Sequence, residues 1–158
     1  MRTFNIYYTD YKNLKRFIDA NYSILCGKSS SVLAQVFAGR YQSGELLTVA
    51  GEIRELIPGA QVIGTTTSGE IMNGVISGLK IVISFSVFQN VKVEARLLEK
   101  GNLNDYQLGY SLASRLLNEK SRVLILFSTA LKINATQLLN GVSAVKADLA
   151  VAGGNAGD

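Results

Sequence analysis

Short apolar segments alternate along this chain with segments of helical periodicity, and this alternation limits its possible folds more than any other feature. Residues 32–38 form a continuous apolar run, which is typical of a strand covered on both faces. Apolar residues then recur every three or four positions over 46–57, which predicts a helix that ends at Pro58-Gly59. Residues 60–66 predict the next strand. Strands joined by helix-length crossovers favour an α/β fold.

The same patterns continue on both sides of this unit. Further strands are predicted over 4–8, 122–128 and 149–152, and helices over 11–20, from Asn104 onward and from Asn134 to about Lys146. Asn104 and Asn134 are candidate N-caps, because Gln107 and Gln137 stand at the matching capping-box positions. We therefore predict a mixed sheet with helices packed on it.

One antiparallel hairpin is predicted over 79–98 as part of this sheet. Leu79–Phe88 and Val91–Leu98 are rich in β-forming residues and are separated only by Gln89-Asn90. Asn90 tolerates the positive φ that such a turn requires. The small, polar residues between 67 and 78 are predicted to form a loop.

The complete absence of histidine excludes several classes of active site. Nucleophilic designs of the Ser-His-Asp and Cys-His types need histidine as the general base. A single cysteine, Cys26, and scattered carboxylates do not supply the ligand set of a zinc site, so we expect no metal. Cys26 also cannot form an internal disulfide, which fits a reducing compartment.

The net charge of +4 invites a nucleic-acid interpretation, but the basic residues are dispersed among acidic ones. No apolar stretch approaches the roughly 18 residues that a membrane helix needs. The first residues do not have the pattern of a secretory leader. We therefore expect a cytoplasmic domain that binds neither nucleic acid nor a membrane.

Two segments that follow predicted strands carry the polar groups of a candidate ligand site. They are Gly64-Thr65-Thr66-Thr67-Ser68-Gly69-Glu70 and the glycine-rich loop Gly153-Gly154-Asn155-Ala156-Gly157-Asp158. Open α/β sheets form crevices at the carboxyl ends of their strands, so we expect both segments to line a crevice for a small polar ligand. Glu70 and Asp158 would then recognise an ammonium group or pair with a basic side chain. The alternative, that both carboxylates are simply solvated, stays open.

The order of these features resembles the N-terminal half of the FIST family, bacterial sensory domains found alone or attached to signalling output modules. The resemblance rests on 32–38 as the opening strand, on 56–60 leading into 62–71, and on 153–158. Its most specific part is a strand followed by Gly64, small residues and Ser68-Gly69-Glu70.

The resemblance implies a sensory domain over 31–158, incomplete at its C-terminus, after a strand-and-helix lead-in over 1–30. It implies ligand sensing in signal transduction, with amino acids as proposed ligands. A C-terminal FIST half normally follows, and a signalling output domain is a further expected partner. Some similar proteins bind haem, but the lack of histidine argues against haem in this chain.

Three functions remain open at this point. The first is a small-ligand sensor. The second is a protein-interaction or homodimerisation module without a ligand, since apolar strands with incompletely covered faces favour association. The third is an enzyme of amidohydrolase type that uses a Thr or Ser with an amine or lysine base, chemistry that does not need histidine. Of these we expect the sensor, and no catalytic residue.

Overall fold

The computed structural model describes residues 1–27, 30–39, 44–129 and 132–157. The chain divides into two compact units, a larger one of Met1–Val93 with Gly157–Asp158 and a smaller one of Glu94–Ala156. Within the described ranges, every helix is too short or too polar to cross a membrane.

The described part of the larger unit contains six strands and three helices. The strands are β1 (Arg2–Tyr8), β2 (Ser30–Ala38), β3 (Gln61–Thr66), β4 (Glu70–Met72), β5 (Val75–Ser77) and β6 (Ile81–Gln89). The helices are α1 (Tyr11–Ala20), α2 (Tyr22–Leu25) and α3 (Glu45–Leu56). The strands and helices predicted between residues 4 and 66 are confirmed.

A four-stranded sheet in the order β1-β6-β2-β3 forms the centre of the larger unit. β2 and β3 are parallel, whereas β6 is antiparallel to both of its neighbours, β1 and β2. The predicted α/β fold, a mixed sheet with helices packed on it, is therefore confirmed. The carboxyl ends of β2 and β3 meet at one edge, where Ala38 pairs with Thr66.

The core of the larger unit forms where α1 and α3 pack on this sheet. Leu14 and Ile18 of α1, together with Val49 and Ile53 of α3, are at most 1% exposed. In each helix the two side chains are four positions apart and share one face. Burial of an aliphatic side chain of this size contributes about 1.5–3 kcal/mol. The helical periodicity of the sequence thus marks the face that packs.

The predicted hairpin over 79–98 is wrong in its second strand. Asn90 has the expected positive φ, 60°, directly after β6, but residues 91–98 are not a strand. The physical reason is that β6 is an interior strand. β1 and β2 occupy both of its hydrogen-bonding edges, so no edge remains for a strand that returns after Asn90.

A hairpin forms instead within 67–78, which was predicted to be a loop. β4 and β5 pair antiparallel, with Ile71 opposite Ile76. Asn73 and Gly74 connect them with φ values of 52° and 78°. Positive φ at both central residues is typical of a type I′ turn, for which Asn-Gly is a preferred sequence. The strands have three residues each, too few for alternation to be visible in the sequence.

The described part of the smaller unit contains two helices and two parallel strands. They are α4 (Asp105–Leu116), β7 (Val123–Ser128), α5 (Ala135–Val145) and β8 (Ala150–Asn155). These elements were predicted, but β8 also includes Gly153, Gly154 and Asn155, which were predicted as a loop. Their pairing with Leu126, Phe127 and Ser128 of β7 outweighs the low strand propensity of glycine.

The N-caps of α4 and α5 are the predicted asparagines. The side chain of Asn104 accepts a hydrogen bond from the backbone N–H of Gln107, and the Gln107 side chain returns the bond, which completes a capping box. Asn134 caps α5 through the N–H of Gln137, but its own N–H donates to Oδ2 of Asp105 instead. Asp105 thus accepts the hydrogen bond that the side chain of Gln137 would accept in a complete capping box.

Candidate ligand-binding site

The predicted segment Gly64–Glu70 begins inside β3 and ends at the first residue of β4. Gly64 lets β3 approach β2 closely, since a β-carbon there would lie 3.1 Å from the carbonyl oxygen of Val36. Thr65 is buried, whereas Ser68 and Gly69 are exposed. The segment therefore leaves the sheet as a short exposed turn between two anchored ends.

Glu70 is the second of these anchors and is only 3% exposed. Its Oε1 accepts a hydrogen bond from Oγ1 of Thr67 at 2.6 Å, and its Oε2 accepts one from the backbone N–H of Lys80 at 3.1 Å. These bonds compensate for the loss of water around the carboxylate. The alternative that Glu70 is a solvated side chain is therefore wrong.

Thr66 and Gly157 are joined by two hydrogen bonds. The N–H of Gly157 donates to the carbonyl oxygen of Thr66 at 2.8 Å, and the hydroxyl group of Thr66 donates to the carbonyl oxygen of Gly157. A β-carbon on Gly157 would lie 2.7 Å from the backbone nitrogen of Ser68, so only glycine fits without a shift. One residue from each of the two predicted segments is thus in contact.

The other glycine-rich residues lie in β8 of the smaller unit. Gly153 has φ 143°, and a β-carbon there would overlap with the backbone of Leu126. Oδ1 of Asn155 accepts a hydrogen bond from Oγ of Ser128 at 2.6 Å. Gly154 has open space around its α-carbon. Asp158, also predicted for the site, lies outside the described residues.

Comparison with models of protein families gives a match that spans most of the chain. Residues 32–158 match the model described as FIST N domain. The chain belongs to the FIST family. The matched range contains both predicted segments, and the resemblance seen in the sequence is confirmed. FIST domains are sensory domains of signal transduction. Comparisons with curated proteins and with solved structures give no match.

The hydroxyl groups in the Gly64–Glu70 segment of this FIST domain differ in what they bond. Thr65 donates to the carbonyl oxygen of Thr66, Thr66 to Gly157 and Thr67 to Glu70. The hydroxyl group of Ser68 makes no hydrogen bond within the described part of the chain. The threonines and Glu70 therefore set the shape of the turn, and Ser68 offers a free polar group at its exposed tip.

Two residues that support this turn were not predicted from the sequence. Gly39 directly follows β2 and lies against the carboxylate of Glu70. A glycine at the end of a strand is a sequence signal that another group approaches the backbone closely, so this contact of Gly39 could have been predicted. Lys80 contributes its backbone N–H, which almost every residue type possesses. No signal in the sequence could have indicated that role.

Proposed function

We propose that this FIST domain senses a small polar ligand, such as an amino acid, that contacts the turn around Ser68 and Gly69. The observation that carries the proposal is the buried carboxylate of Glu70, which fixes the turn through Thr67 and Lys80. A turn that is already fixed loses little conformational entropy when a ligand binds. Ser68, exposed and without a hydrogen bond among the described residues, is the group available to that ligand.

The other end of the turn supports the same proposal. Two hydrogen bonds to Gly157 hold Thr66, so both sides of the Ser68-Gly69 tip are anchored. Transmission of the signal to a C-terminal FIST half or an output domain is part of the proposal. The role predicted for Gly153, Gly154, Asn155 and Asp158 stays a prediction from the sequence.

A thermal-shift screen over the common amino acids tests the proposal. A ligand present at a hundred times its Kd should stabilise the domain by about 2.7 kcal/mol. Ser68→Ala should leave the melting temperature of the free protein unchanged, because the hydroxyl group bonds nothing there. It should weaken the ligand-induced shift, since a ligand group would lose its partner.

Ser23→Ala is the matched control, because Ser23 is also exposed but lies in α2. The Ser23→Ala protein should respond to the ligand as the original protein does. The proposal is contradicted if no amino acid shifts the melting temperature. It is also contradicted if Ser68→Ala responds as strongly as Ser23→Ala.

An exposed apolar surface on the β4–β5 hairpin favours a second candidate, a homodimerisation module. Ile71 and Ile76 are cross-strand partners and are 72% and 78% exposed. Val75 and Leu79 nearby are also exposed. Clustered apolar surface of this kind marks interaction sites in soluble proteins. Light scattering should show a dimer. The double substitution Ile71→Ser and Ile76→Ser should abolish this dimer. The control Leu47→Ser, at an exposed position of α3, should still form it. A monomer at all concentrations would contradict this candidate.

The enzyme hypothesis has less structural support. It requires an amine or lysine base beside a threonine or serine hydroxyl group. In the described part of the chain, the hydroxyl group of Thr67 donates to a carboxylate and that of Thr66 to a backbone carbonyl. The sensor is therefore the function that we favour.

A further inference from the structure

A pocket of about 360 Å³ lies in the larger unit where β1 ends and β6 begins. Tyr8 pairs with Ile81, so the end of β1 and the residue before β6 meet at one end of the sheet. The pocket is lined by Tyr7, Tyr8, Thr9, Ser77 and Lys80. Its volume falls in the range of about 300–1,000 Å³ that is typical of small-molecule sites. No residue of the Gly64–Glu70 segment is among these five.

Lys80 supplies the positive charge of this pocket. Its backbone N–H donates to Glu70, and its carbonyl oxygen accepts a hydrogen bond from the N–H of Gly39 at 2.8 Å. Its side chain is exposed and forms no ion pair with the residues that the structure describes. An ammonium group on a fixed backbone, without a carboxylate partner among the described residues, is available to an anion from solution.

The tyrosines supply a hydrogen-bond donor and apolar surface. The hydroxyl group of Tyr8 is already used, since it donates to Oε2 of Glu52 at 2.9 Å. The hydroxyl group of Tyr7 accepts from Oγ of Ser77 at 3.4 Å, which leaves its own proton free to donate. The pocket therefore offers an ammonium group, a phenol donor and aromatic rings.

Two carboxylates beside the pocket limit the charge that a ligand can carry. Glu52 accepts from Tyr8, and Oδ2 of Asp10 accepts from the hydroxyl group of Thr9 at 3.2 Å. These negative charges repel a dianion more strongly than a monoanion. We infer that the pocket binds a small monoanionic carboxylate with a ring or a short apolar body, held by Lys80 and Tyr7.

This site is separate from the one proposed for sensing, and the two inferences can fail independently. The pocket is linked to the Gly64–Glu70 segment, however, by a hydrogen bond. The backbone N–H of Lys80 donates to the Glu70 carboxylate at 3.1 Å. A carboxylate in the pocket would therefore lie beside the residue that anchors the turn.

A titration of the isotope-labelled protein with benzoate, followed by NMR, tests the inference. Benzoate should shift the resonances of Tyr7, Ser77 and Lys80. Benzamide, its uncharged counterpart, should not, and inorganic phosphate should bind at least tenfold more weakly than benzoate. Equal shifts with benzamide, tighter binding of phosphate, or no shift at these residues at millimolar benzoate would each overturn the inference.

Substitutions separate this pocket from other surfaces of the protein. Lys80→Met should weaken benzoate binding tenfold or more, and Tyr7→Phe should weaken it severalfold, because each removes one donor to the carboxylate. Lys120→Met, at an exposed lysine of the smaller unit, should bind benzoate as the original protein does. Ser68→Ala should also bind it normally. Unchanged affinity in Lys80→Met would overturn the inference, whatever the result of the amino-acid screen.

Discussion

Gly39 lies so close to the carboxylate of Glu70 that any side chain at position 39 would overlap with Oε1. Gly39 and Glu70 also each form a hydrogen bond with the backbone of Lys80. The N–H of Gly39 donates to the Lys80 carbonyl oxygen, and the Glu70 carboxylate accepts from the Lys80 N–H. The end of β2, the turn after β3 and the start of β6 are therefore tied together at one point.

The contact between Gly39 and Glu70 predicts the effect of Gly39→Ala. The added methyl group would displace the carboxylate and leave a donor of Thr67 or Lys80 unpaired, which should destabilise the domain by about 1–3 kcal/mol. Urea unfolding measures this change. Gly51→Ala is the control, because its α-carbon in α3 faces open space. That substitution should stabilise the domain by about 0.5–1 kcal/mol. An unchanged midpoint for Gly39→Ala would contradict the packing described.

The contact between α4 and α5 predicts an effect opposite to helix propensity. Side chains on Gly109 and Gly141 would overlap with the carbonyl oxygens of Leu138 and Tyr106. Gly→Ala within a helix normally stabilises by roughly 1 kcal/mol. Here either substitution should lower the melting temperature instead, because the helices would have to move apart. A higher melting temperature in either variant would show that the helices do not pack through these glycines.

Asp105 predicts part of the acid sensitivity of the smaller unit. Oδ1 accepts a hydrogen bond from Nζ of Lys100 at 2.6 Å, and Oδ2 accepts one from the N–H of Asn134 at 3.0 Å. These bonds, that from Lys100 first, lower the pKa of Asp105 in the folded state. Because the pKa is depressed, the stabilisation is present above the ordinary value of about 3.9 and is lost as the pH falls through the folded value.

Urea midpoints measured between pH 5 and pH 2 test this account of Asp105. Asp105→Asn should reduce stability near neutral pH and flatten the loss of stability in acid. Lys100→Met removes the main cause of the lowered pKa of Asp105. It should therefore also reduce stability near neutral pH and flatten the loss of stability in acid. If the urea midpoint of Asp105→Asn falls with pH in parallel with that of the original protein, the Asp105 carboxylate does not contribute to the acid sensitivity.

Tyr8 predicts a late step in the alkaline titration. Burial, followed by the hydrogen bond to Glu52, raises the pKa of Tyr8 to about 12. Because the pKa is raised, its contribution to stability is complete below the ordinary value of about 10 and is lost as the pH rises toward 12. Tyrosinate absorbance in Tyr8→Phe should lack this late step, and Glu52→Gln should move the step to lower pH. If Tyr8→Phe instead removed a step near the ordinary pKa of about 10, the role of burial would be contradicted.

Several features of the fold could be predicted because their causes are local in the sequence. The periodicity of α1 and α3 records one buried face, and the cap of α4 depends on two residues three positions apart. The turn at Asn90 follows from the tolerance of asparagine for positive φ. The strand-Gly-small-Ser-Gly-Glu pattern around Gly64–Glu70 was sufficient to suggest the family.

The candidate site could be predicted only as a set of residues and not as an arrangement. The sequence placed Thr66, Glu70 and the glycines at the ends of strands. It contained no indication that Glu70 is buried against Gly39, or that the Asn73-Gly74 turn creates a hairpin beside it. Such contacts depend on which surfaces the finished sheet brings together.

The sequence by itself therefore determined four of the five described helices, most of the strands and the family, because periodicity and capping act over a few residues. The tertiary structure alone decided that β6 is an interior strand, that Glu70 bonds the backbone of Lys80, and that Thr66 bonds Gly157, 91 positions away. The reason is that strand pairing and buried hydrogen bonds select partners in space. Backbone groups are almost identical in every residue, so the choice of partner leaves no pattern in the sequence.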